Sequence, residues 1–352
     1  MKVKTTDLQL SHVIAEDIFV NHTLLVSRGT KVSSDILSKL YIFRQDVNVY
    51  KEDENEIEIG TETEKLSDES ALVLSDKIKE RARTGVEYMF KCENADEIVS
   101  TANSVSSLLM EEIVGKSVIN VSLTALHLSD EYTFQHSVDV GTMALLIARK
   151  LGYAGVELER VGLAGILHDI GKTKIPNSIL NKPAKLTDEE FTIMKAHPVY
   201  GYQMLVESKD IEEYVRQGVL QHHEKYDGSG YPLKYAGNKI NMIARILAVA
   251  DVYDALVTER PYKKGKSPEI ALEMMFGMHN HFDIRIVQAF LNTIILHPVG
   301  EHVFLSNGEE CVVEAQNQGY PLRPVLKSVS SKQVYDLVDP SCLSLIIVTP
   351  EQ

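Results

Sequence analysis

Length, composition and charge restrict what this chain can be. It has 352 residues, of which 44% are hydrophobic, and a formal net charge of −14. This length allows two or three domains with a well-buried core. The excess of acidic residues opposes binding of any long nucleic acid, although a few local cations could still hold a small anion. The three cysteines lie far apart and form no Cys-x-x-Cys motif, which argues against a zinc ribbon and a disulfide framework and favours a reducing cytosol.

The first 124 residues predict three kinds of structure. Residues 1–52 alternate short β-rich runs with a helical piece near 33–41, which predicts a small α+β module. Residues 53–70 are dense in acids and predict a linker. Residues 71–124 predict a helical connecting region, which could pack on the domain that follows or form a homodimer.

The remaining sequence predicts a helical domain and a β-rich end. Helical patterns continue through 125–297, and β signals return over 298–352 as a short extension. Gly152 is placed to end one helix, while Thr187 and Glu190 form the capping-box pattern that opens another. The predicted fold class is therefore mainly α, with a small α+β N-terminal module and a short β-rich C-terminal extension.

Membrane insertion and export are not expected. The first residues, MKVKTTDLQL, lack an apolar core of signal-peptide type, and Arg245 interrupts the apolar run from Met242 to Ala250. We therefore expect a cytoplasmic protein without a membrane span.

The most informative stretch is 222–232, which reads HHEKYDGSGYP. Burying two adjacent imidazoles is costly unless their hydrogen bonds are met, and metal coordination is one way to meet them. The glycines and the proline that follow cannot continue a helix. We expect the histidine pair at a helix end, facing a loop.

Four other positions belong to the same helical domain. They are His136, the pair His168-Asp169, His197 and Asp251. Taken singly, His136 and His197 are better explained as a structural and a surface histidine, and an isolated His-Asp pair is weak evidence of a metal site. Asp251 lies in a strongly apolar helix, where a carboxylate must be paired, coordinated or neutralised.

Together these five histidines and two aspartates exceed what one tetrahedral zinc needs. A mixed histidine and carboxylate set suits iron, manganese or another transition ion, and one carboxylate can bridge two metals. Two metals roughly 3.5–4 Å apart can activate a bridging water and stabilise the oxygens of a phosphoester. The residues therefore predict phosphodiester hydrolysis.

This set resembles the HD-domain phosphohydrolase superfamily, and the HHEKYDGSGYP segment is similar to its HD-GYP branch. The resemblance covers about residues 125–295, and the flanking runs 171–176 and 258–263 match it too. It implies a helical catalytic domain, over 125–297, that hydrolyses cyclic di-GMP to pGpG by a metal-activated bridging hydroxide. In some members hydrolysis continues to GMP. The implied setting is bacterial second-messenger signalling in the cytoplasm.

The resemblance also implies a role for each matching residue. Two divalent ions, iron or manganese, would be held by seven ligands: His136, His168, Asp169, His197, His222, His223 and Asp251. Asp169 would be the bridging carboxylate. Lys172 would lie near the scissile phosphate and offset its developing charge; otherwise it is a helix-terminal lysine favoured by the dipole.

Substrate contacts are implied at two further places. Arg260 and Lys263 would hold phosphate or guanine, and otherwise they are solvated cations. Gly230, Tyr231 and Pro232 would shape the loop over the substrate or receive a signalling-protein partner.

The sequence departs from part of the family at one position. Members with three metals carry a glutamate one helical turn before the first histidine, where this chain has Tyr132. Glu131 is adjacent but points about 100° away on a helix. We therefore expect two metals, the alternative being that Glu131 reaches the site through a distorted turn. Glu224 and Asp254 are expected to orient ligating histidines.

Other functions remain open at this point. The substrate could be another cyclic dinucleotide, such as a cyclic GMP-AMP, or a nucleotide monoester. From a different class, the chain could be a non-catalytic cyclic-dinucleotide-binding adaptor. Retention of all seven ligand positions counts against the adaptor.

Overall fold

The computed structural model describes three long stretches of the chain, 74–114, 132–258 and 265–348. It also describes shorter pieces, namely residues 2–3, 14, 18–20, 23–26, 30, 32, 47–48, 71–72 and 120–122. The chain divides into two compact units, Met1–Glu64 and Lys65–Gln352. The boundary between the units lies inside the predicted linker, and the other predicted domain boundaries stay predictions.

The first unit is described by four short strands. They are β1 (Lys2–Val3), β2 (Ile18–Val20), β3 (Thr23–Val26) and β4 (Val47–Asn48). Strand β1 pairs antiparallel with β4, and β2 pairs antiparallel with β3. The helix predicted near residues 33–41 lies outside the described residues.

The second unit is mainly helical, which confirms the predicted fold class. Its helices are α1 (Asp76–Lys91), α2 (Ala95–Val114), α3 (Tyr132–Lys150), α4 (Val156–Leu167), α5 (Asn177–Leu180), α6 (Asp188–Met194), α7 (His197–Val206), α8 (Glu213–Gln221), α9 (Met242–Val257), α10 (Pro268–Gly277) and α11 (Ile284–Leu291). Among the described residues, none of these helices has the length and apolar character needed to cross a membrane.

Two predicted helix ends are confirmed. Gly152 follows α3 with a φ of +91°, the left-handed conformation that favours glycine after a helix. The hydroxyl of Thr187 accepts the backbone N–H of Glu190, whose carboxylate accepts the backbone N–H of Thr187. This reciprocal capping box opens α6, the helix that precedes the one beginning at His197.

Helix α9 occupies the centre of the helical core. It begins at Asn241, whose side chain accepts the backbone N–H of Ile243 over 2.8 Å, and it is buried on nearly all sides. A helix that is apolar around most of its circumference must be surrounded by other elements. Helices α3, α4, α8, α10 and α11 all pack against it.

Two sheets complete the second unit. A parallel sheet joins β5 (Ala71–Leu72), β6 (Asn120–Ser122) and β7 (Ile294–Ile295) in that order. An antiparallel sheet contains β8 (His302–Leu305), β9 (Glu310–Ala315), β10 (Val325–Ser328), β11 (Val334–Asp336) and β12 (Ile347–Val348). Its strand order is β11-β10-β9-β8-β12, and it has a small apolar core of its own. The predicted β-rich C-terminal extension is thereby confirmed.

Candidate metal centre

Five segments of the helical core bring the seven predicted ligands together. The ligands lie in α3 (His136), directly after α4 (His168 and Asp169), at the first residue of α7 (His197), directly after α8 (His222 and His223) and in α9 (Asp251). The histidine pair follows a helix end, as the sequence predicted. The side chains of six ligands are almost fully buried, and His223 is the most exposed.

Glycines let these segments approach one another closely. A Cβ atom on Gly165 would lie 2.8 Å from the Cα of Gly141, so α4 and α3 are in backbone contact close to their candidate ligands His168 and His136. A Cβ atom on Gly171 would overlap the carbonyl of His197 and the backbone nitrogen of Gly201. Neither contact leaves room for a side chain. These glycines therefore set the spacing between His136 and His168, and between Asp169 and His197.

The ligands form two groups of three. One consists of His136, His168 and Asp251, and the other of His197, His222 and His223. In each group the candidate ligand atoms lie within 4.8 Å of one another. Each group is therefore compact enough to hold one ion.

Asp169 lies between the two groups. Its Oδ2 is 3.4 Å from Nε2 of His136 and 3.3 Å from Nε2 of His168. Its Oδ1 is 3.3 Å from Nε2 of His197 and 4.0 Å from Nε2 of His222. Oδ1 is also buried without a hydrogen-bond partner among the described residues. One oxygen thus faces each group, which is the arrangement a bridging carboxylate needs.

Hydrogen bonds behind the rings fix the orientation of four histidines. In His168, Nδ1 lies 2.8 Å from the carbonyl oxygen of Gly165. In His197, Nδ1 lies 2.8 Å from the carbonyl oxygen of Met194. In His222, Nδ1 lies 2.7 Å from the carbonyl oxygen of Val219. A carbonyl can only accept, so Nδ1 carries the proton in each ring and Nε2 keeps a free lone pair.

The Nδ1 atom of His136 faces a carboxylate instead of a backbone carbonyl. This Nδ1 lies 2.6 Å from Oδ2 of Asp254. This confirms the prediction that Asp254 orients a histidine. A direct bond from a histidine to Glu224, expected on the same grounds, is not formed, because the Glu224 carboxylate accepts the backbone N–H groups of Leu233 and Tyr235.

Burial keeps two of the rings neutral. It lowers the pKa of His222 well below its usual value, and the neighbouring rings of His223 and His168 lower it further. Burial also lowers the pKa of His223 to about 3. A neutral imidazole is the form that coordinates a metal. Both rings are therefore ready to act as ligands near pH 7.

The aspartates are held in their charged form. Burial by itself would raise the pKa of Asp169, but Lys172 and the neighbouring His168 and His136 lower it well below its usual value. The pKa of Asp251 is likewise lowered overall, mainly by the hydrogen bond from His136, against the effect of burial. Buried carboxylates beside imidazole rings match the donor set of a divalent ion.

Lys172 lies at the edge of this cluster. Its Nζ contacts Oδ2 of Asp169, and its side chain is about one quarter exposed, at 23%. The predicted substrate contacts Arg260 and Lys263 lie outside the described residues, and so does Glu131.

The loop after the histidine pair returns to the cluster. The ring of Tyr231 lies 4.8 Å from the ring of His223, with 31° between the two planes. Gly230 is buried and Pro232 partly buried in the same turn. The loop therefore covers the group formed by His197, His222 and His223.

Sequence reasoning missed two functional features. The close contacts at Gly165 and Gly171 were not predicted, although a glycine inside an apolar helical run indicates a close backbone approach. The anchoring of the 233–235 loop by Glu224 was also missed. No local pattern marks such a contact, because it joins residues nine and eleven positions apart across a turn.

Comparisons with known proteins agree with this geometry. Residues 120–286 match the model of the HD domain family. A cyclic di-GMP phosphodiesterase of Pseudomonas aeruginosa is 40% identical over 252 residues, which cover 70% of this chain and 60% of that protein. A cyclic di-GMP phosphodiesterase response regulator of Xanthomonas campestris is 44% identical over 153 residues, or 42% of this chain and 40% of that protein.

A third relative is named for a different substrate. It is a 3′3′-cGAMP-specific phosphodiesterase of Vibrio cholerae, 36% identical over 178 residues. The match covers 50% of this chain and 34% of that protein. This chain thus spans less than two thirds of the length of each of these relatives.

Proposed function

We propose that residues 120–286, which match the HD domain model, form a catalytic domain of the HD-GYP branch and that the chain is a metal-dependent phosphodiesterase. Its substrate is cyclic di-GMP and its product pGpG. The observation that carries the proposal is the position of Asp169, which turns one carboxylate oxygen toward each of two groups of three ligands. The names of the relatives support the choice of substrate.

The donor set fits two divalent ions. His136, His168 and Asp251 would hold one, and His197, His222 and His223 the other, with Asp169 shared between them. Nitrogen and carboxylate donors without thiolate favour iron or manganese. Bound there, such a pair supplies an activated water and neutralises charge on a phosphodiester. We propose two ions, with Glu131 as the residue that would have to contribute to a third.

The chain's own residues complete the site. Lys172 places a cation beside Asp169, where it would offset charge on the phosphate in the transition state. Gly230, Tyr231 and Pro232 would form the wall that receives the dinucleotide. Arg260 and Lys263 would hold its phosphate or guanine.

A second candidate substrate is a cyclic GMP-AMP. The observation in its favour is the relative from Vibrio cholerae that is specific for 3′3′-cGAMP. Because metal ligands and phosphate contacts act on the part common to both dinucleotides, they do not distinguish one base from another. Parallel assays with both dinucleotides separate the two candidates.

The test is hydrolysis by protein reconstituted anaerobically with iron or manganese. Products are separated by chromatography over time, which also reveals whether pGpG is converted to GMP. The control is the double variant His168→Ala, Asp169→Ala, which removes one ligand and the shared carboxylate. Absence of turnover with either metal would refute the proposal. Faster turnover of 3′3′-cGAMP than of cyclic di-GMP would identify 3′3′-cGAMP as the substrate instead.

Three further expectations remain proposals. They are a cytoplasmic location, a signalling-protein partner at the loop that contains Gly230, Tyr231 and Pro232, and a homodimer through residues 71–124.

A further inference from the structure

The carboxylate of Glu224 anchors the loop that follows the histidine pair. The residue is 2% exposed. Its Oε1 accepts the backbone N–H of Leu233 over 2.5 Å, and its Oε2 accepts that of Tyr235 over 3.1 Å. Two backbone donors, one on each oxygen, thus satisfy one buried carboxylate, and hydrogen bonds to a charged acceptor are the stronger kind.

The shape of the loop depends on this arrangement. Lys234 has a φ of +56°, a left-handed conformation that is costly for a residue with a side chain. In that conformation the N–H groups on either side turn toward the same carboxylate. The bonds to Glu224 therefore compensate the strain at Lys234 and hold the loop closed.

The start of the loop is pressed against the ligand pair. A Cβ atom on Gly230 would lie 2.5 Å from the Cα of Glu224 and 2.6 Å from the carbonyl oxygen of His223. The backbone N–H of Tyr231 donates to that same carbonyl over 3.2 Å. The position of Tyr231 is thus fixed from both sides, by His223 before it and by the anchored segment 233–235 after it.

His223 differs from the other four histidines of the centre. Among the described residues, no hydrogen bond fixes its ring, and its Nδ1 is 3.7 Å from Oδ2 of Asp251. Its ring packs against those of His222, at 4.1 Å between ring centres, Tyr231, at 4.8 Å, and His197, at 5.0 Å. Of these three, Tyr231 is not itself a candidate ligand, and its place contributes to the orientation of the His223 ring.

We infer that Glu224 is a positioning residue, which holds Tyr231 against His223 and thereby orients that ring toward the ion shared with His197 and His222. The inference rests on the function proposed above for the metal centre, and it assigns no ligand role to Glu224. The chain of contacts runs from Glu224 through the 233–235 backbone to Tyr231 and His223.

The test uses the full chain and two measurements that require no turnover. Hydrogen exchange of the metal-free protein reports on the peptide that spans 226–236. Titration with Mn²⁺ alone reports on metal affinity. In Glu224→Gln an amide nitrogen replaces one acceptor oxygen, so we expect faster exchange in that peptide and Mn²⁺ binding at one site weakened about tenfold.

A double-mutant cycle separates positioning from general structural damage. Tyr231→Ala should weaken Mn²⁺ binding by a similar factor, and the two changes together should weaken it no further, because both act through one contact. Tyr231→Phe keeps the ring and should bind Mn²⁺ normally. The matched control is Glu273→Gln, at an exposed glutamate of α10, which should change neither measurement.

Native exchange in Glu224→Gln would overturn the inference, and so would additive losses in the cycle. Neither measurement depends on which dinucleotide is hydrolysed. Lack of activity in the parent protein would therefore refute the proposed function, whereas the exchange and Mn²⁺ measurements alone decide this inference.

Discussion

Gly141 and Gly165 place two helices of the candidate metal centre in direct backbone contact. A Cβ atom on Gly165 would be 2.8 Å from the Cα of Gly141 and 3.5 Å from its nitrogen. His136 lies five residues before Gly141, and His168 lies three residues after Gly165. Their Nε2 atoms approach to 3.3 Å. The distance between two ligands therefore depends on the absence of two side chains.

Gly165→Ala should separate α3 from α4 and weaken the centre. Alanine is the better helix former by about 1 kcal/mol, but the added methyl meets backbone atoms, which cannot rotate away. We expect net destabilisation of about 2 kcal/mol and a lower metal content. Urea unfolding and elemental analysis of the same preparation measure the two effects.

The control for this change is Gly277→Ala, at the last residue of α10. A Cβ atom there would meet no atom within 4 Å. We expect unchanged or slightly higher stability and unchanged metal content. Equal behaviour of the two variants would show that the contact between Gly141 and Gly165 does not set the ligand spacing.

Removing one ligand from each group should remove one ion at a time. His136→Ala and His197→Ala should each lower the content from about two ions per chain to about one. Asp169→Asn should lower occupancy at both positions, because each of its oxygens faces one group. Elemental analysis after dialysis measures the ratio.

A suitable control is His279→Ala, an exposed histidine remote from these ligands in sequence. It should retain the full metal content. Loss of both ions from His136→Ala alone would argue against two separable groups and for one cooperative site.

Lys172→Ala should slow hydrolysis while the metal content stays the same. The ammonium contacts Asp169 but is not a donor to a metal, so its contribution is electrostatic. We expect kcat to fall about a hundredfold, the size typical of losing one charge-stabilising group. Steady-state kinetics and elemental analysis are measured together.

Lys174→Ala is the matched control, two residues away on the same 3₁₀ turn and exposed. It should have normal kcat. Metal loss in Lys172→Ala would assign Lys172 to the stability of the centre rather than to the transition state.

The sequence alone singled out three of the candidate ligands because the chemistry that marks them is local to each residue. A buried histidine pair or an aspartate in an apolar helix needs a partner wherever the helix lies, so His222, His223 and Asp251 could be selected without a structure. Thr187 and Glu190 were equally accessible, since a capping box spans only four positions.

Other features could not be predicted from local patterns because they depend on contacts between distant segments. A bridging role for Asp169 was implied only by the family resemblance, because its position between two groups requires the relative orientation of α3, α4 and α7. Glu224 was expected to orient a histidine, but the preceding helix already supplies the carbonyl of Val219 to His222. Because the His222 ring already has an acceptor, the carboxylate of Glu224 can accept hydrogen bonds from the backbone of Leu233 and Tyr235 instead.

Arg245 and Asp283 form a buried ion pair, and loss of Asp283 should lower the stability of the protein more than loss of Arg245. NH1 of Arg245 is 2.9 Å from Oδ2 of Asp283, and it also donates to Asn238 over 3.2 Å. Asp283 has a second, exposed partner in Arg285, at 2.7 Å. Removing the carboxylate of Asp283 leaves the buried guanidinium of Arg245 without this anionic partner, whereas removing Arg245 leaves Asp283 paired with Arg285.

Asp283→Asn should therefore destabilise the protein by about 3–5 kcal/mol at pH 7, and Arg245→Met by less. Arg285→Gln, which breaks only the exposed pair, should cost at most about 1 kcal/mol. Urea unfolding of the three variants measures the order. A larger loss in Arg245→Met than in Asp283→Asn would contradict the argument.

The effect of Asp283 should also depend on pH. Burial alone would raise its pKa, but hydrogen bonds from Arg285 and Arg245 lower it overall in the folded protein. The unfolded chain then binds a proton more readily, so the stabilisation is complete above the unfolded pKa of about 3.9 and is lost as pH falls through the lower folded value. The difference in unfolding free energy between parent and Asp283→Asn should thus be constant from pH 7 to about 5 and shrink below about 4. A difference that grows on acidification would mean that Asp283 is protonated more readily in the folded protein.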